Sequence, residues 1–463
     1  MTVIRPPRTT GTASLTPAAR RSVVGGIVSL VIDSYDIYVP ALVLPAAMDY
    51  FEPASMSDTM KATMTSVVFT VTLLARPVGG VIFGNLGDKI GRKRITMMAG
   101  FGFTIITLVI ACLPGYGAWG YGALAALIAL RFIDGVFLGG GYAGPVPLAI
   151  ERSPARLRGP VGGVIAAGAG VAIFFISLVQ LVALNPMAHS DYVTWGWRLP
   201  FLFGVLLGVG YLVYYARVPE VDVESLAEGR TKRRQPLLEL LSGPQFKDLL
   251  QVFLLMTGMW FAAQMLVSFL PSLLIQVLHQ NANDVNTLEL VMSPLTSVAM
   301  IGLAVLSQRI GRRPVLFWMA AGGAVFASLS FAFMVNLAQN SAPFLGVAVL
   351  AIIASLFVNG PLGTIVVYLN ERFRKGVRSS GYGAAYTVSL ILPSLYSVWM
   401  GLLQHVMPFA YAPVVLIALG GVMFAIGARI GPETVDGGRM AGETPDVSLV
   451  AAPAPSPGLG AAD

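Results

Sequence analysis

The stretch from Val31 to Pro45, VIDSYDIYVPALVLP, places two carboxylates inside an apolar run that is long enough to cross a bilayer. The apolar run extends from Val23 to Ala47, and a helix needs ~20 such residues to span the hydrocarbon layer. An acid at mid-depth costs about 2.5–3.5 kcal/mol on insertion scales, so intramembrane acids usually serve a function. We therefore expect this helix to face water inside the protein rather than lipid.

Asp33 and Asp36 are three positions apart and share one face of the predicted helix. Gly25, Ser29 and Pro40 continue this face as a small and polar stripe. Because Pro40 has no N–H group, the carbonyl of Asp36 loses its helical partner. The alternative is that the two acids only pair with arginines and hold helices together.

The composition indicates a membrane protein with many spans. Of the 463 residues, 56% are hydrophobic and only 11% are charged, whereas a soluble domain carries about 25% charged residues. We predict an all-α polytopic fold with twelve transmembrane helices and no cleavable signal peptide, since the first 21 residues are polar and basic. The candidate spans cover residues 22–46, 60–84, 94–114, 120–150, 160–184, 198–217, 248–278, 288–308, 315–337, 343–370, 379–403 and 409–430.

Nearly all of the 30 lysines and arginines fall before the first span, after each even-numbered span or in the C-terminal tail. Cytoplasmic loops carry such an excess of basic residues, so we predict a plasma-membrane protein with both termini in the cytoplasm. The basic run Arg230–Arg234 is expected to meet anionic lipid headgroups. Basic loops on one side of twelve spans do not form a basic face, so no nucleic-acid partner is expected.

Two loop motifs recur at one spacing in the second half of the chain. The segments Gly91–Lys93 (GRK) and Glu151–Arg158 return as Gly311–Arg313 (GRR) and Glu371–Arg378. We therefore predict two six-helix bundles, 22–217 and 248–430, joined by a cytoplasmic loop, 218–247, with tails at 1–21 and 431–463, the latter disordered. In transporters built from parallel six-helix repeats, the site lies at mid-membrane between the halves.

The loop Gly84–Arg94, GNLGDKIGRKR, resembles the signature loop of the major facilitator superfamily. The resemblance implies alternating access, in which charged loops hold the cytoplasmic side closed in one state and separate in the other. In the second copy Gln308 replaces Asp88, so the repeat is degenerate. The alternative is that these loops only satisfy topology. The predicted cytoplasmic gate comprises Gly84, Asp88, Gly91, Arg92, Lys93, Glu151, Arg158, Arg312, Glu371 and Arg378.

Within that superfamily the chain is most similar to the metabolite:proton symporters. This resemblance covers most of the first half, in the stretches DSYDIY, ARPVGGVIFGNLGD, RFIDGVFLGGGY and TWGWRLPFLFG. It implies proton-driven uptake of small metabolites, commonly carboxylates or zwitterions. Asp33 stands where that family usually has Glu, Asp134 where it has Gln, and Gly141 where it has an acid. These departures leave the substrate open.

Five charges fall within the predicted spans, namely Asp33, Asp36, Arg76, Arg131 and Asp134, and we expect no counterpart deep in the spans of the second half. Three acids against two bases leave one unbalanced negative charge, which a low-dielectric cavity disfavours, so one acid should exchange a proton. Arg131 and Asp134 can pair with each other. We therefore predict Asp36 as the proton carrier with Asp33 as its competitor, Asp134 being the third candidate. Arg76 or Arg131 could hold a substrate carboxylate.

The second half is expected to supply uncharged walls for the site. The candidates are Trp260, Gln264, Asn359, Tyr382 and Tyr386, because aromatic and amide groups suit a small polar solute. The alternative is that these groups only pack helices together.

Other activities find little support in the sequence. Cys112 is the single cysteine and the three histidines are dispersed, so we predict no metal site and no cofactor. An enzyme would need a nucleophile–base pair, a metal cluster or a phosphate loop, and none is evident. The prediction is a monomeric proton-coupled importer of a small polar metabolite. The alternatives are an exporter or uniporter of the same fold and a nutrient sensor that does not transport.

Overall fold

The computed structural model describes residues 15–90, 92–140, 145–217, 246–373 and 378–435, and most of these are helical. Within them, twelve helical segments are long and apolar enough to cross a membrane. We number them as spans 1 to 12. Their bounds are Ala19–Ala46, Asp58–Phe83, Arg94–Ala111, Tyr121–Gly139, Ala155–Leu184, His189–Ala216, Phe246–Val277, Ala282–Ile310, Arg312–Gln339, Phe344–Arg372, Gly381–Leu403 and Phe409–Ile430.

Several spans of the second half are interrupted helices. Span 10 consists of the helices Phe344–Asn359 and Leu362–Arg372, with Gly360 and Pro361 between them. Span 7 contains two π-helical turns, Met265–Phe269 and Leu273–Val277. Proline removes a backbone donor and crowds the preceding turn, and neighbouring helices re-satisfy the freed groups. Span 1 differs, because Pro40 lies inside the continuous helix Pro17–Val43.

Consecutive spans cross in opposite directions, so span 1 begins and span 12 ends on the same side of the molecule, which we call the terminal face. Spans 2, 4, 8 and 10 also end on this face, where Arg152, which follows span 4, donates to the Ser22 hydroxyl of span 1 at 3.1 Å. The predicted central loop, most of both tails and the segments 141–144 and 374–377 lie outside the described residues.

The two halves meet most closely where spans 5 and 8 cross. A Cβ atom at Gly163 would lie 2.9 Å from the backbone of Ile301, and one at Gly159 would lie 2.7 Å from the carbonyl oxygen of Ala304. Such close approach of backbones is the usual role of small residues in membrane helices. This contact holds one wall of the space between the halves.

The segment Gly431–Val435 departs from the predicted disordered tail. The carboxylate of Glu433 accepts hydrogen bonds from the backbone N–H groups of Arg312 at 2.8 Å and Arg313 at 3.0 Å, at the start of span 9. These N–H groups have no partner within their own helix, so an anion there is favourable. The ordered chain therefore extends past span 12, because its acid caps a neighbouring span.

Candidate functional site

An ion pair links spans 1 and 2 near the middle of the first half. Arg76 Nη2 donates to both oxygens of Asp33, at 2.8 Å and 3.0 Å. Arg76 is only 5% exposed, so both charges are held largely away from solvent. The close packing of spans 2 and 4 fixes this arginine, because Gly139 lies directly against its carbonyl oxygen.

A second network lies deeper in the same bundle. Arg131 Nη1 donates to Asp134 Oδ2 at 2.7 Å and lies 3.5 Å from Asp36 Oδ2. Asp36 Oδ1 also accepts from the Thr107 hydroxyl at 2.6 Å. The predicted pairing of Arg131 with Asp134 is therefore present, and it includes Asp36.

The carbonyl that Pro40 frees also finds a partner in this network. Arg131 Nη2 donates to the backbone oxygen of Asp36 at 3.2 Å, so the arginine replaces the missing helical N–H. The guanidinium is thus bound to span 1 through main chain and side chain, and to its own span through Asp134. This geometry suits a fixed structural pair better than a group that must release a ligand.

A cavity of about 40 Å³ lies between the two halves, and at ~15 Å³ per water it has room for two or three water molecules. Residues of both halves line it, including Asp33, Tyr38 and Arg76 from the first and Trp260, Gln264 and Leu362 from the second. Asp33 therefore borders the space between the halves. Asp36, Arg131 and Asp134 are absent from its walls.

The second half supplies an aromatic wall. The rings of Trp260 and Tyr386 meet edge to face at 5.0 Å, and those of Tyr382 and Tyr386 are stacked at 5.9 Å. Within the described residues, Trp260 Nε1 and Gln264 Nε2 are buried donors without a hydrogen-bond partner. A buried donor left unpaired costs about 1–3 kcal/mol, so these two groups are suited to bind a polar solute.

The predicted substrate residues divide into two groups. Arg76, Trp260, Gln264, Tyr382 and Tyr386 line the cavity together. Arg131 and Asn359 do not line it. Asn359 instead donates to the Ser355 hydroxyl at 3.1 Å, one turn earlier in span 10, which agrees with the helix-packing alternative for that residue.

The expectation that the second half has no deeply placed charge is wrong. Glu289 lies in span 8, is only 2% exposed and has no salt bridge among the described residues. Its Oε1 also has no hydrogen-bond partner there. The sequence signal is an acid on the same helix face as Asn286 and Ser293, although Glu289 is only the second residue of the predicted span 288–308.

Hydrogen bonds join the halves on both sides of the cavity. Away from the terminal face, Gln276 Nε2 donates to the Thr65 hydroxyl at 3.1 Å. Toward the terminal face, the backbone N–H of Gly159 donates to Gln308 Oε1 at 3.2 Å. Among the described residues the halves are therefore in contact on both sides of the cavity, an arrangement we call occluded, and they must separate there to admit a solute larger than water.

The described part of the predicted gate contains the buried charge pair of Arg312 and Glu371. Arg312 Nε lies 3.4 Å from Glu371 Oε2, and Arg312 also donates to the Ser307 hydroxyl and Gln308 Oε1, at 2.7 Å each. In the first half of the chain, the predicted gate residue Arg158 is buried and Glu151 is half-buried. The side chains predicted at Gly84, Asp88, Gly91, Arg92, Lys93 and Arg378 lie outside the described residues.

Several bacterial transport proteins are similar to this chain in sequence. A metabolite transport protein of Escherichia coli, YhjE, is 29% identical over 378 residues, which cover 80% of this chain and 84% of that protein. The proline/betaine transporter of the same organism is 28% identical over 390 residues, covering 80% and 75%. Its shikimate transporter is 32% identical over 236 residues, about half of each chain.

Solved structures agree on the fold. The partially occluded, inward-open conformation of the xylose transporter XylE from E. coli superposes with a TM-score of 0.68 over 90% of this chain and 99% of that one, at 15% identity.

The predicted twelve-helix, all-α fold is confirmed. The relatives are transporters and not enzymes, as predicted. Residues 24–397 match the model of the Major Facilitator Superfamily, and the chain belongs to that superfamily as an integral membrane transporter.

Proposed function

We propose that this protein imports a small polar metabolite with a carboxylate group, as an acid or zwitterion, together with a proton. The observation that carries the proposal is the Asp33–Arg76 ion pair, which borders the cavity between the halves. Named relatives transport proline and betaine or shikimate, and all three of those solutes are carboxylates. The proposed orientation has the terminal face in the cytoplasm, in agreement with the positive-inside rule.

The ion pair suggests how proton and substrate are coupled. A proton on Asp33 removes the charge that holds Arg76, and the guanidinium can then bind a substrate carboxylate through two parallel hydrogen bonds. Arginine does not lose its own proton. Proton and anion together leave the site no more charged than before, so the loaded carrier can cross the occluded state at low electrostatic cost.

The aromatic wall opposite Arg76 would hold the other end of the substrate. Trp260 and Tyr386 present ring surfaces that suit a cationic or apolar group, and Gln264 Nε2 offers a free donor for a hydroxyl or carboxylate oxygen. The two halves would then close on the solute from opposite sides. Their separation on one face at a time gives alternating access.

We assign the proton to Asp33 rather than to Asp36, the carrier predicted from the sequence. Asp33 lines the cavity, whereas Asp36 is held behind it by Thr107 and Arg131. A proton carrier must contact water from each side in turn, and in the occluded arrangement only Asp33 borders the inter-half cavity among the three described acids of the network.

The experiment is uptake into proteoliposomes with an imposed pH gradient, screened with small carboxylates and zwitterions. Wild-type protein should accumulate its substrate above the external concentration. Asp33→Asn should abolish accumulation yet retain exchange of labelled for unlabelled substrate at equal pH. Asp36→Asn is the matched control and should keep a measurable gradient-driven accumulation. Uphill uptake unchanged in Asp33→Asn would refute the assignment, and outward pumping or gradient-independent flux in wild type would favour the exporter or uniporter alternative.

A further inference from the structure

A second, smaller cavity lies inside the first six-helix bundle. Its volume is about 20 Å³, and residues of spans 1, 3, 4 and 6 line it. Its polar lining groups are Ser29, Asp33, Thr96 and Tyr211. Asp33 also lines the larger cavity between the halves and is the one residue common to both linings. A single carboxylate therefore separates two cavities.

The second cavity extends from Asp33 toward the terminal face. Ser29 is one turn before Asp33 in span 1, about 6 Å closer to that face at 1.5 Å per residue. Thr96 is in the first turn of span 3, which begins at the terminal face at Arg94. Tyr211 is near the end of span 6, which finishes there at Ala216.

The size and polarity of this cavity match those of a water site. A buried water needs about 10–15 Å³ and two to four polar partners, and this cavity offers three hydroxyls and a carboxylate. The rest of its lining is apolar or small, including Ile32, Phe103, Phe137 and Leu138. Its volume is too small for a metabolite, so a proton fits this route and a substrate does not.

Hydroxyl groups continue from the cavity in the same direction. Tyr211 and Ser29 line the cavity together, and Tyr215 lies one turn beyond Tyr211 in span 6. The rings of Tyr211 and Tyr215 lie 5.5 Å apart on successive turns of span 6. Tyr211 is buried while Tyr215 and Thr96 are half-buried. The row of hydroxyls therefore begins at Asp33 and continues to the ends of spans 3 and 6 at the terminal face.

We propose that this second cavity is a proton route from Asp33 to the terminal face, separate from the path of the substrate. The inference rests on the proposed function. The Asp33 carboxyl passes its proton to a water or hydroxyl oxygen, which releases one of its own protons to the next oxygen, so each member of the row is unchanged after transfer. The carboxylate left behind pairs with Arg76, and Asp36 is the other charged group near it.

A separate route has a consequence for the transport cycle. The proton can leave while the halves remain closed on the terminal side, because the second cavity lies wholly within one bundle. Re-formation of the Asp33–Arg76 pair would then displace the substrate carboxylate from the arginine. Proton release and substrate release become consecutive steps rather than one opening event.

The test uses the double variant Tyr211→Phe/Thr96→Val, which removes two hydroxyls and keeps the side-chain volumes close to the originals. Tyr214→Phe is the matched control, since Tyr214 is on the same helix, is 37% exposed and is outside both cavity linings. Substrate is added to proteoliposomes loaded with a pH-sensitive dye. We expect substrate-driven proton flux to fall about 100-fold in the double variant, the lower end of the loss typical of a positioned proton-transfer group, and to stay unchanged in the control.

Two further readouts separate a proton route from a structural role. Exchange of labelled substrate at equal pH and the melting temperature of the purified protein should stay near the wild-type values in the double variant. Proton flux equal to wild type, or exchange lowered as much as proton flux, would overturn the route. Absence of substrate-driven proton flux in the wild type would instead overturn the proposed function, and with it this inference.

Discussion

Arg131 and Asp134, one turn apart in span 4, form an ion pair of 2.7 Å in which neither side chain is exposed to solvent. The same arginine donates to the main-chain oxygen of Asp36 in span 1. The pair therefore joins two spans of the first bundle, and it contacts span 1 at Asp36, one turn after Asp33. It positions the site without bordering the cavity.

Removal of one partner of this pair should be costly. Arg131→Met leaves Asp134 as an uncompensated buried charge and removes the donor to the Asp36 carbonyl. Breaking a buried pair in this way costs about 3–5 kcal/mol, so we expect a large fall in melting temperature. Thermal unfolding of the purified protein in detergent measures it.

The control is the double variant Arg131→Met/Asp134→Leu, which replaces both charges by apolar groups. It removes the uncompensated Asp134 and should recover part of the lost stability, since apolar replacement of a buried pair is often neutral, whereas Asp36 still loses the guanidinium beside it. A single variant as stable as wild type, or a double variant no better than the single one, would contradict a structural role for the pair.

The sequence predicted most of the fold because long apolar runs leave little choice of structure in a bilayer. All twelve predicted spans are present as helices, and most ends differ by a few residues, although span 4 ends at Gly139 rather than at 150 and span 6 begins at His189 rather than at 198. Asp33 and Arg76 were identified as site residues because charges within such runs are expensive. Their pairing with each other could not be predicted, since the choice between Arg76 and Arg131 depends on how spans 2 and 4 pack beside span 1.

Three features could not be predicted from the sequence, because they depend on contacts between distant parts of the chain. The sequence favours Asp36 as the proton carrier. In the structure Thr107 and Arg131 bind Asp36 away from the cavity, and the sequence does not reveal these contacts. Glu289 is buried by the packing of span 8 against other helices, which its position near the start of the predicted span does not reveal. The order of Glu433 in the tail could not be predicted, because the residue that it contacts at the start of span 9 is 120 residues away in the sequence.

Gly139 should be intolerant of any side chain. A Cβ atom there would overlap the carbonyl oxygen of Arg76 and lie 2.9 Å from the nitrogen of Gly80. Overpacking of this kind costs about 1–3 kcal/mol, and the forced shift would move Arg76 away from Asp33. We expect Gly139→Ala to lower both the melting temperature and the substrate affinity, measured by thermal unfolding and ligand binding.

Gly210 offers a matched control in span 6. A Cβ atom there has no neighbour within 4 Å among the described residues, and alanine favours helix over glycine by about 1 kcal/mol. Gly210→Ala should therefore leave transport unchanged and stability equal or slightly higher. Equal effects of the two substitutions would show that packing at Gly139 does not position the arginine.

Glu433 should stabilise the start of span 9. Its two oxygens accept from the N–H groups of Arg312 and Arg313, and the neighbouring Thr434 hydroxyl donates to Glu371 at 2.5 Å. Loss of a helix cap costs about 0.5–2 kcal/mol, so Glu433→Ala should lower the melting temperature. Glu433→Gln retains one acceptor oxygen and should have a smaller effect. Identical melting curves for Glu433→Ala and wild type would show that the contact contributes nothing.

Glu52, in the loop between spans 1 and 2, should make stability depend on pH. It is only 3% exposed, and within the described residues neither carboxylate oxygen has a hydrogen-bond partner. Burial raises the pKa of its carboxyl from an ordinary 4.5 to about 8, with Lys61 opposing and Asp49 adding to the rise. The folded protein therefore holds a proton at neutral pH that the unfolded chain has released.

Stability should fall as the pH rises from 4.5 to 8 and then level off, since below this window both states are protonated and above it both are ionised. Each pH unit within the window costs at most about 1.4 kcal/mol. Glu52→Gln removes this cost, so its melting temperature should match wild type near pH 5 and exceed it increasingly toward pH 8. Asp191→Asn, at an exposed residue that is not among the charges acting on Glu52, is the control and should lack this trend. Parallel melting curves for Glu52→Gln and wild type across that range would contradict a buried, protonated Glu52.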